Sequence, residues 1–177
     1  MGQQSIYIFP KETSPSGSFC ERTVEKLAAV GLIHQETHAV VDFAEFHAGD
    51  NAAEFLPQRF EYLGIRKGPL ARLLPEDPSI EPECPRCRQD LHEEYYECVN
   101  DACDVDETQD WSLLRLNCPK CGWAGRLDEV HDDVGVFLRR EYVFFSDVNI
   151  SEAQFARFED EMVRLLGDVM VKLYWFT

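Results

Sequence analysis

The chain has 177 residues, 45% of them hydrophobic and 12% aromatic. It can therefore bury the core of one domain that carries an additional segment. Its 17 Lys and Arg residues stand against 33 Asp and Glu residues, which gives a formal net charge of −16. The sequence has no apolar run long enough for a membrane span and no secretory signal at its start. We therefore expect a cytoplasmic protein, where closely spaced cysteines are reduced and are typical of metal ligands or catalytic groups.

The N-terminal part of the chain predicts strands and helices in alternation. Residues 5–9 are aromatic and β-branched, which is typical of a strand. A capping-box pattern predicts a helix over 18–30. Residues 38–46 predict a second strand, and residues 49–64 predict an interrupted helix that contains a proline.

Two pairs of cysteines stand out in the middle of the chain, in the stretches CPRC and CPKCGW. In each pair a tight turn directs backbone N–H groups at both sulfurs, and the proline pre-sets part of that turn. Two facing turns of this kind place four sulfurs at the corners of a tetrahedron, which is the arrangement of structural zinc. We therefore predict one structural Zn²⁺ held by Cys84, Cys87, Cys118 and Cys121.

The two turns are not equally suitable. Gly122 fits the backbone position that follows the second pair, whereas Arg88 occupies the matching position after the first pair and fits it less well. The CPRC…CPKCGW pattern, over roughly residues 82–125, resembles a zinc ribbon. The resemblance implies a bound zinc and says little about activity, because zinc ribbons occur in many unrelated proteins.

Cys98 and Cys103 leave three alternatives open. Together with the second cysteine pair they would form a rival ligand set with a shorter loop, which would leave the first pair unused. Together with His92, and with His131, they could hold a second metal ion. The simplest interpretation is that they are spare thiols in a loop.

The C-terminal part of the chain predicts a second group of elements. Residues 134–150 contain a strand or a hairpin, and a capping box at Ser151 starts a helix that Gly167 ends. Residues 168–176 are apolar on both alternating faces, as in a central buried strand.

This β-α-β segment is too small to stand alone and needs the N-terminal part as a partner. We therefore predict an α+β fold, a sheet-and-helix sandwich formed by both chain ends. The sandwich comprises residues 1–79 and 131–177, and residues 80–130 form an inserted acidic zinc-ribbon module.

The negative charge is concentrated in the middle of the chain. Residues 76–133 carry five Lys or Arg against seventeen Asp or Glu, a net −12, whereas the segments on either side carry −2 each. Such a charge disfavours nucleic acid, whose binding depends on cations that neutralise phosphates, and favours a basic protein partner. We expect aromatic anchors within an acidic rim. The predicted partner-binding residues are Glu93, Glu94, Tyr95, Tyr96, Asp101, Asp104, Asp106, Glu107, Asp110 and Trp111.

The sequence offers little for catalysis. Zinc with four thiolates has no open position and cannot activate water. Cys20 lies on the apolar stripe of the first helix, which predicts a small core residue, and no nucleotide-binding or nucleophile motif is present in the sequence. An unrecognised active site that uses Cys20, His38 or His47 is the remaining catalytic alternative; otherwise we predict a non-enzymatic protein.

Two further functional hypotheses follow from these features. Small size, acidity and the lack of a catalytic motif are similar in type, without a shared motif, to bacterial toxin-immunity proteins. That similarity implies an inhibitor that neutralises a basic partner such as a toxin. The alternative is a zinc-ribbon adaptor in transcription, translation or RNA handling, which needs a basic groove made by Arg59, Arg66, Lys67 and Arg72.

Overall fold

The computed structural model of the protein describes residues 3–11, 19–40, 43–56, 60–74, 80–104, 110–131 and 135–176. Its strands are β1 Gln3–Pro10, β2 Ile33–Val40, β3 Phe43–Ala48, β4 Leu63–Leu74, β5 Leu116–Asn117, β6 Ala124–Gly125, β7 Phe137–Val148 and β8 Val169–Phe176. Its α-helices are α1 Phe19–Ala29, α2 Ala52–Phe55, α3 His92–Asp104 and α4 Glu152–Leu166. Two 3₁₀ turns cover Trp111–Leu113 and Leu127–Glu129.

Six of these strands form one sheet in the order β2-β3-β4-β7-β1-β8, and β5 and β6 form a separate hairpin. Strand β1 runs antiparallel to both β7 and β8, so the latter two run parallel to each other and α4 connects them. The N-terminal strand thus fills the gap in a β-α-β segment from the C-terminal end. The predicted α+β class is confirmed.

The chain divides into two units, one of Met1–Gly68 with Glu141–Thr177 and the other of Pro69–Arg140. The unit boundaries fall inside β4 and β7. The predicted insertion, residues 80–130, lies within the second unit, and its exact domain limits stay a prediction. Among the described residues, no helix combines the length and apolar composition that a membrane crossing requires.

The first unit has its core between the sheet and the helices α1 and α4. Cys20 is fully buried there, as predicted, and its thiol donates towards the carbonyl oxygens of Arg66 at 3.3 Å and Tyr142 at 3.5 Å. Burial, with the nearby Glu141 carboxylate, raises the pKa of Cys20 to about 12. The thiol therefore stays protonated at neutral pH and is a packing residue.

Helix α4 begins and ends as the sequence predicts. The Ser151 side chain accepts from the N–H of Gln154, whose own side chain accepts from the N–H of Ser151 at 2.8 Å. Gly167 ends the helix with a φ of +93°. Phe158 and Met162 are buried on the predicted apolar face.

Three predicted elements differ from the structure. Residues 38–46 belong to two antiparallel strands, β2 and β3, in which Val40 pairs with Phe43. The helix expected over 49–64 is limited to α2, and Leu63 already begins β4; Pro57 lies outside the described residues. Strand β8 is at an edge of the sheet and not at its centre, because an apolar pattern reports which faces are covered and not the lateral position.

Candidate metal centre

The four predicted zinc ligands lie together in the second unit. All four sulfur atoms lie within 4.8 Å of one another, with 3.7 Å between Cys84 and Cys121 and 3.7 Å between Cys87 and Cys118. These distances exceed a disulfide bond of ~2.05 Å. A tetrahedral site with zinc–sulfur bonds of ~2.3 Å has sulfur–sulfur edges of about 3.8 Å. The cluster therefore has the dimensions of a four-thiolate site and is compatible with one metal ion such as Zn²⁺.

Matching backbone turns hold the two cysteine pairs. The N–H that follows each pair donates to the carbonyl of the first cysteine, from Arg88 to Cys84 at 2.9 Å and from Gly122 to Cys118 at 3.0 Å. The N–H of each first cysteine also donates to the main-chain carbonyl oxygen of the residue five positions later, at 2.8 Å in the first turn and 2.7 Å in the second. Each turn thus fixes its own two sulfurs through main-chain hydrogen bonds.

The backbone after each pair is left-handed, with a φ of +56° at Arg88 and +67° at Gly122. Glycine adopts this conformation without steric cost, whereas arginine does not. The predicted mismatch at Arg88 is confirmed, and the two turns have the same shape despite it.

The sulfurs differ in their tendency to ionise. At Cys118, loss of solvent opposes ionisation, but the N–H groups of Cys121 and Lys120 and the Cys87 thiol lower the pKa to about 7. At Cys87, the N–H of Gln89 favours the thiolate, but loss of solvent and the three other sulfurs raise the pKa to about 12. Crowding therefore disfavours several thiolates together, and a bound cation would offset their repulsion.

Short paired segments position each turn. Leu116 pairs with Gly125 in the hairpin that leads into Cys118. Gly125 is required because a Cβ there would lie 2.1 Å from a ring carbon of Trp123. On the other side, Glu83 precedes Cys84 and exchanges two main-chain hydrogen bonds with His131, at 2.8 and 2.9 Å.

The structure does not bring Cys98 to this cluster. Cys98 is half-buried on α3, which is a helix where a loop was expected, and burial raises the pKa of its thiol. His92 is six residues earlier on the same helix and so points in a different direction. No second group of three or more metal-binding side chains occurs among those described. Cys118 and Cys121 meet the first pair and not Cys98, which disfavours the rival ligand set.

The side chain of Cys103 lies outside the described residues. A second metal site that includes it, with His92 or His131, stays a prediction. The ring of His92 packs on that of Tyr96, with 4.6 Å between their centroids, and Nδ1 of His131 lies 3.8 Å from the Glu83 carboxylate.

Two of the predicted aromatic anchors are core residues. Tyr95 is fully buried and Trp111 is 8% exposed, both in the hydrophobic core of the second unit. Tyr96 is half-buried, and its hydroxyl accepts from the N–H of Ile80 at 3.3 Å. Burial removes both from the predicted partner surface: Tyr95 packs on the inner face of α3, and Trp111 packs into the same core from the first 3₁₀ turn.

The acidic side chains of α3 are mostly at the surface. Glu93, Glu97 and Asp101 are exposed and recur every fourth residue, so they form a line along one face of the helix that we call the α3 stripe. Glu97 was not among the predicted partner-binding residues, although its spacing from Glu93 was the signal for it. Glu94 is half-buried. The Asp104 side chain, Asp106 and Glu107 lie outside the described residues.

Asp110 is a structural residue and not a surface acid. One carboxylate oxygen accepts from the N–H and hydroxyl of Ser112, at 3.0 and 2.6 Å, and from the N–H of Ala71 at 3.3 Å. The other oxygen binds the Arg140 guanidinium at 2.9 Å. Burial opposes ionisation, but these contacts outweigh it and lower the pKa of Asp110. The spacing of Asp110 and Ser112, typical of a helix cap, was the sequence signal for this role.

Other charged side chains also have structural partners. Glu141 accepts from the N–H of Phe19 at 2.8 Å and so caps α1. Of the predicted basic groove, Lys67 is paired with Glu21, and the side chains of Arg59 and Arg72 lie outside the described residues.

The side chains proposed for an unrecognised active site have unlike environments. His47 is exposed on β3, whereas Cys20 is fully buried. The His38 side chain lies outside the described residues. Burial denies the Cys20 thiol the solvent access that a catalytic nucleophile needs.

Comparison with protein-family models, with curated proteins and with solved structures gave no match. The zinc-ribbon resemblance therefore depends on the four sulfurs and the two turns that hold them. The likeness to toxin-immunity proteins remains one of size and charge.

The cost of the left-handed backbone in each turn can be tested by substituting the residue that follows the cysteine pair. A Cβ at Gly122 would meet no atom within 4 Å, so Gly122→Ala introduces no steric clash. It should lower the free energy of unfolding by about 1 kcal/mol because alanine disfavours the left-handed backbone at this position. Arg88→Gly should raise the free energy of unfolding by up to ~1 kcal/mol, because glycine adopts the left-handed backbone without steric cost. The exposed ion pair with Glu83 that the variant loses is weak. Urea unfolding with saturating Zn²⁺ measures both, and equal effects of the same sign would contradict the prediction.

The Asp110→Asn variant should lose about 1–3 kcal/mol of unfolding free energy at pH 7, because hydrogen-bond acceptors and an ion-pair partner are impaired. The folded pKa of Asp110 is lowered, so its contribution is fully present above the unfolded value of ~3.9 and is lost only as pH falls through the folded pKa. The deficit should therefore be constant between pH 6 and pH 8 in urea titrations. The control Asp101→Asn, at an exposed site, should change stability by less than ~0.5 kcal/mol.

Proposed function

We propose that this chain is a non-enzymatic zinc protein whose acidic second unit binds a basic protein partner, in the manner of an immunity or inhibitor protein. The proposal depends on one observation, the convergence of four cysteine sulfurs within 4.8 Å. An ion with four thiolate ligands has no coordination place for water or substrate. Its role would be to stabilise the fold, and the work of the protein would be done by its surface.

The charge of the second unit favours a basic partner. The segment 76–133 carries −12, and four thiolates around Zn²⁺ would add a formal charge of about −2. The α3 stripe presents three of these carboxylates, and none of them has a cation within ion-pair distance among the described side chains. A field of this sign attracts a cationic surface before contact and repels phosphates, which supports a protein partner over nucleic acid.

A toxin that acts on nucleic acid or nucleotides would have the complementary surface. Its active site must attract phosphate and is therefore basic, so an acidic protein could cover it and exclude the substrate. We also propose a cytoplasmic location, because reducing conditions keep four thiols available for a metal.

The metal part of the proposal predicts one Zn²⁺ per purified chain by elemental analysis. Cys118→Ser should reduce the zinc content to less than about a tenth and lower the yield of soluble protein, since the remaining thiolates lose their ion. Cys98→Ser, which changes a cysteine of the same unit outside the cluster, should keep the full zinc content. Equal zinc contents in the two variants would contradict the assignment of the ligands.

The binding part predicts one stoichiometric protein partner when the tagged chain is purified from its native host. The triple variant Glu93→Gln, Glu97→Gln, Asp101→Asn should bind that partner about tenfold more weakly, because exposed charge pairs contribute ~0.5 kcal/mol each. Isothermal titration calorimetry at two salt concentrations would measure the loss, and the salt dependence should decrease with it.

A matched triple variant of the first unit, Glu25→Gln, Glu152→Gln, Asp160→Asn, removes the same charge from exposed positions of α1 and α4. It should change the affinity less than twofold. Equal losses in both variants would show that only net charge matters, and the lack of any stoichiometric partner would end the proposal.

A further inference from the structure

We infer that metal binding controls the folding of the second unit alone: without the ion, the chain keeps the first unit and loses α3 with its acidic stripe. The inference concerns the four-sulfur cluster and the elements packed around it. It goes beyond a stabilising role for the metal, because it assigns the dependence on metal to one part of the chain.

The two hydrophobic cores differ in size and have no residue in common. Among the described side chains, the core of the first unit contains 21 buried residues, whereas that of the second contains 12. Two of those 12 are the ligands Cys84 and Cys118. A core this small stabilises a chain segment of about 70 residues only marginally, and natural proteins of that size often add a metal or disulfides. The larger core of the first unit needs no such addition.

Apart from α3 and the parts of β4 and β7 that belong to it, regular structure in the second unit is short among the described residues. Strands β5 and β6 have two residues each, and the 3₁₀ turns have three. Two-residue strands hold few main-chain hydrogen bonds and cannot persist alone. These four elements, ten residues in all, therefore depend on the sulfur cluster and on the small core beside it for their order.

Helix α3 is attached to both cysteine turns. The N–H of Leu91, directly before the helix, donates to the carbonyl of Pro82 at 2.8 Å, two residues before the first ligand. On the other side α3 packs against β5, whose buried Leu116 is two residues before Cys118. When the turns separate, the helix loses both supports, and an isolated helix of 13 residues is marginal in water.

Charge acts in the same direction. The segment 76–133 has seventeen acidic against five basic residues, and self-repulsion of this kind destabilises a compact state. The ion does not remove this repulsion, because Zn²⁺ with four thiolates still carries a formal charge of about −2; it opposes the repulsion through its bonds to the four sulfurs. Without those bonds, the same carboxylates favour the expanded chain.

The consequence for binding rests on the proposed function. Because Glu93, Glu97 and Asp101 are aligned only while α3 is helical, the partner surface would exist only in the metal-loaded chain. Availability of zinc would then decide whether the protein can bind its basic partner.

Hydrogen–deuterium exchange of the full chain tests the inference. The protein is compared with and without a high-affinity zinc chelator, under reducing conditions. Peptides within 80–104 and 110–131 should lose protection at least about tenfold, whereas peptides of β1, α1 and α4 should change less than about twofold. Added Zn²⁺ should restore protection, and the fluorescence of Trp111 and Trp123 should report the same transition.

Loss of protection throughout the chain would overturn the inference by showing one cooperative fold, and retention throughout would overturn it by showing that the second unit folds without metal. Cys98→Ser is the control, because it should show the same chelator response as the natural chain. The exchange result does not depend on any partner. Selective exchange without a stoichiometric partner would therefore refute the proposed function and leave the metal-controlled folding in place.

Discussion

Mutual repulsion between four sulfurs is the constraint around which the second unit is built. Two hairpin turns bring the sulfurs to distances of 3.7 Å, too close for four negative charges without a cation between them. The pKa values differ in opposite directions at Cys87 and Cys118 because the first thiolate makes the next less favourable. A metal ion with all four sulfurs as ligands would resolve this conflict, and such an ion would have no open coordination position.

The acidic residues of the chain have two different uses. Asp110 and Glu141 hold structural elements in place through hydrogen bonds, so neither contributes to a free negative surface. The α3 stripe, by contrast, is exposed along its length. Net charge alone therefore overstates the surface available to a partner, and the position of each carboxylate decides whether it stabilises the fold or faces solvent.

Local sequence signals predicted the local features well. The cysteine spacing, the cap at Ser151 and the misfit at Arg88 each depend on a few neighbouring residues, and the structure contains all three features. Features that depend on residues far apart in the sequence were harder to predict. The periodicity of β8 does not encode its neighbours in the sheet, and many acidic residues concealed the apolar face of α3, on which Tyr95 is buried.

The placement of the unit boundaries within β4 and β7 has a thermodynamic consequence. These strands are neighbours in the sheet, and hydrogen-bonded strands lie ~4.8 Å apart. The sheet therefore holds the two ends of the segment that forms the second unit next to each other. While the sheet is intact, the 72 residues between these points form a closed loop, even where that loop is not itself folded. Closure of such a loop removes entropy equivalent to roughly 4 kcal/mol from its disordered ensemble, as a crosslink would. The sheet thus closes the loop without a covalent bond, and it lessens the ordering that a bound cation would have to impose.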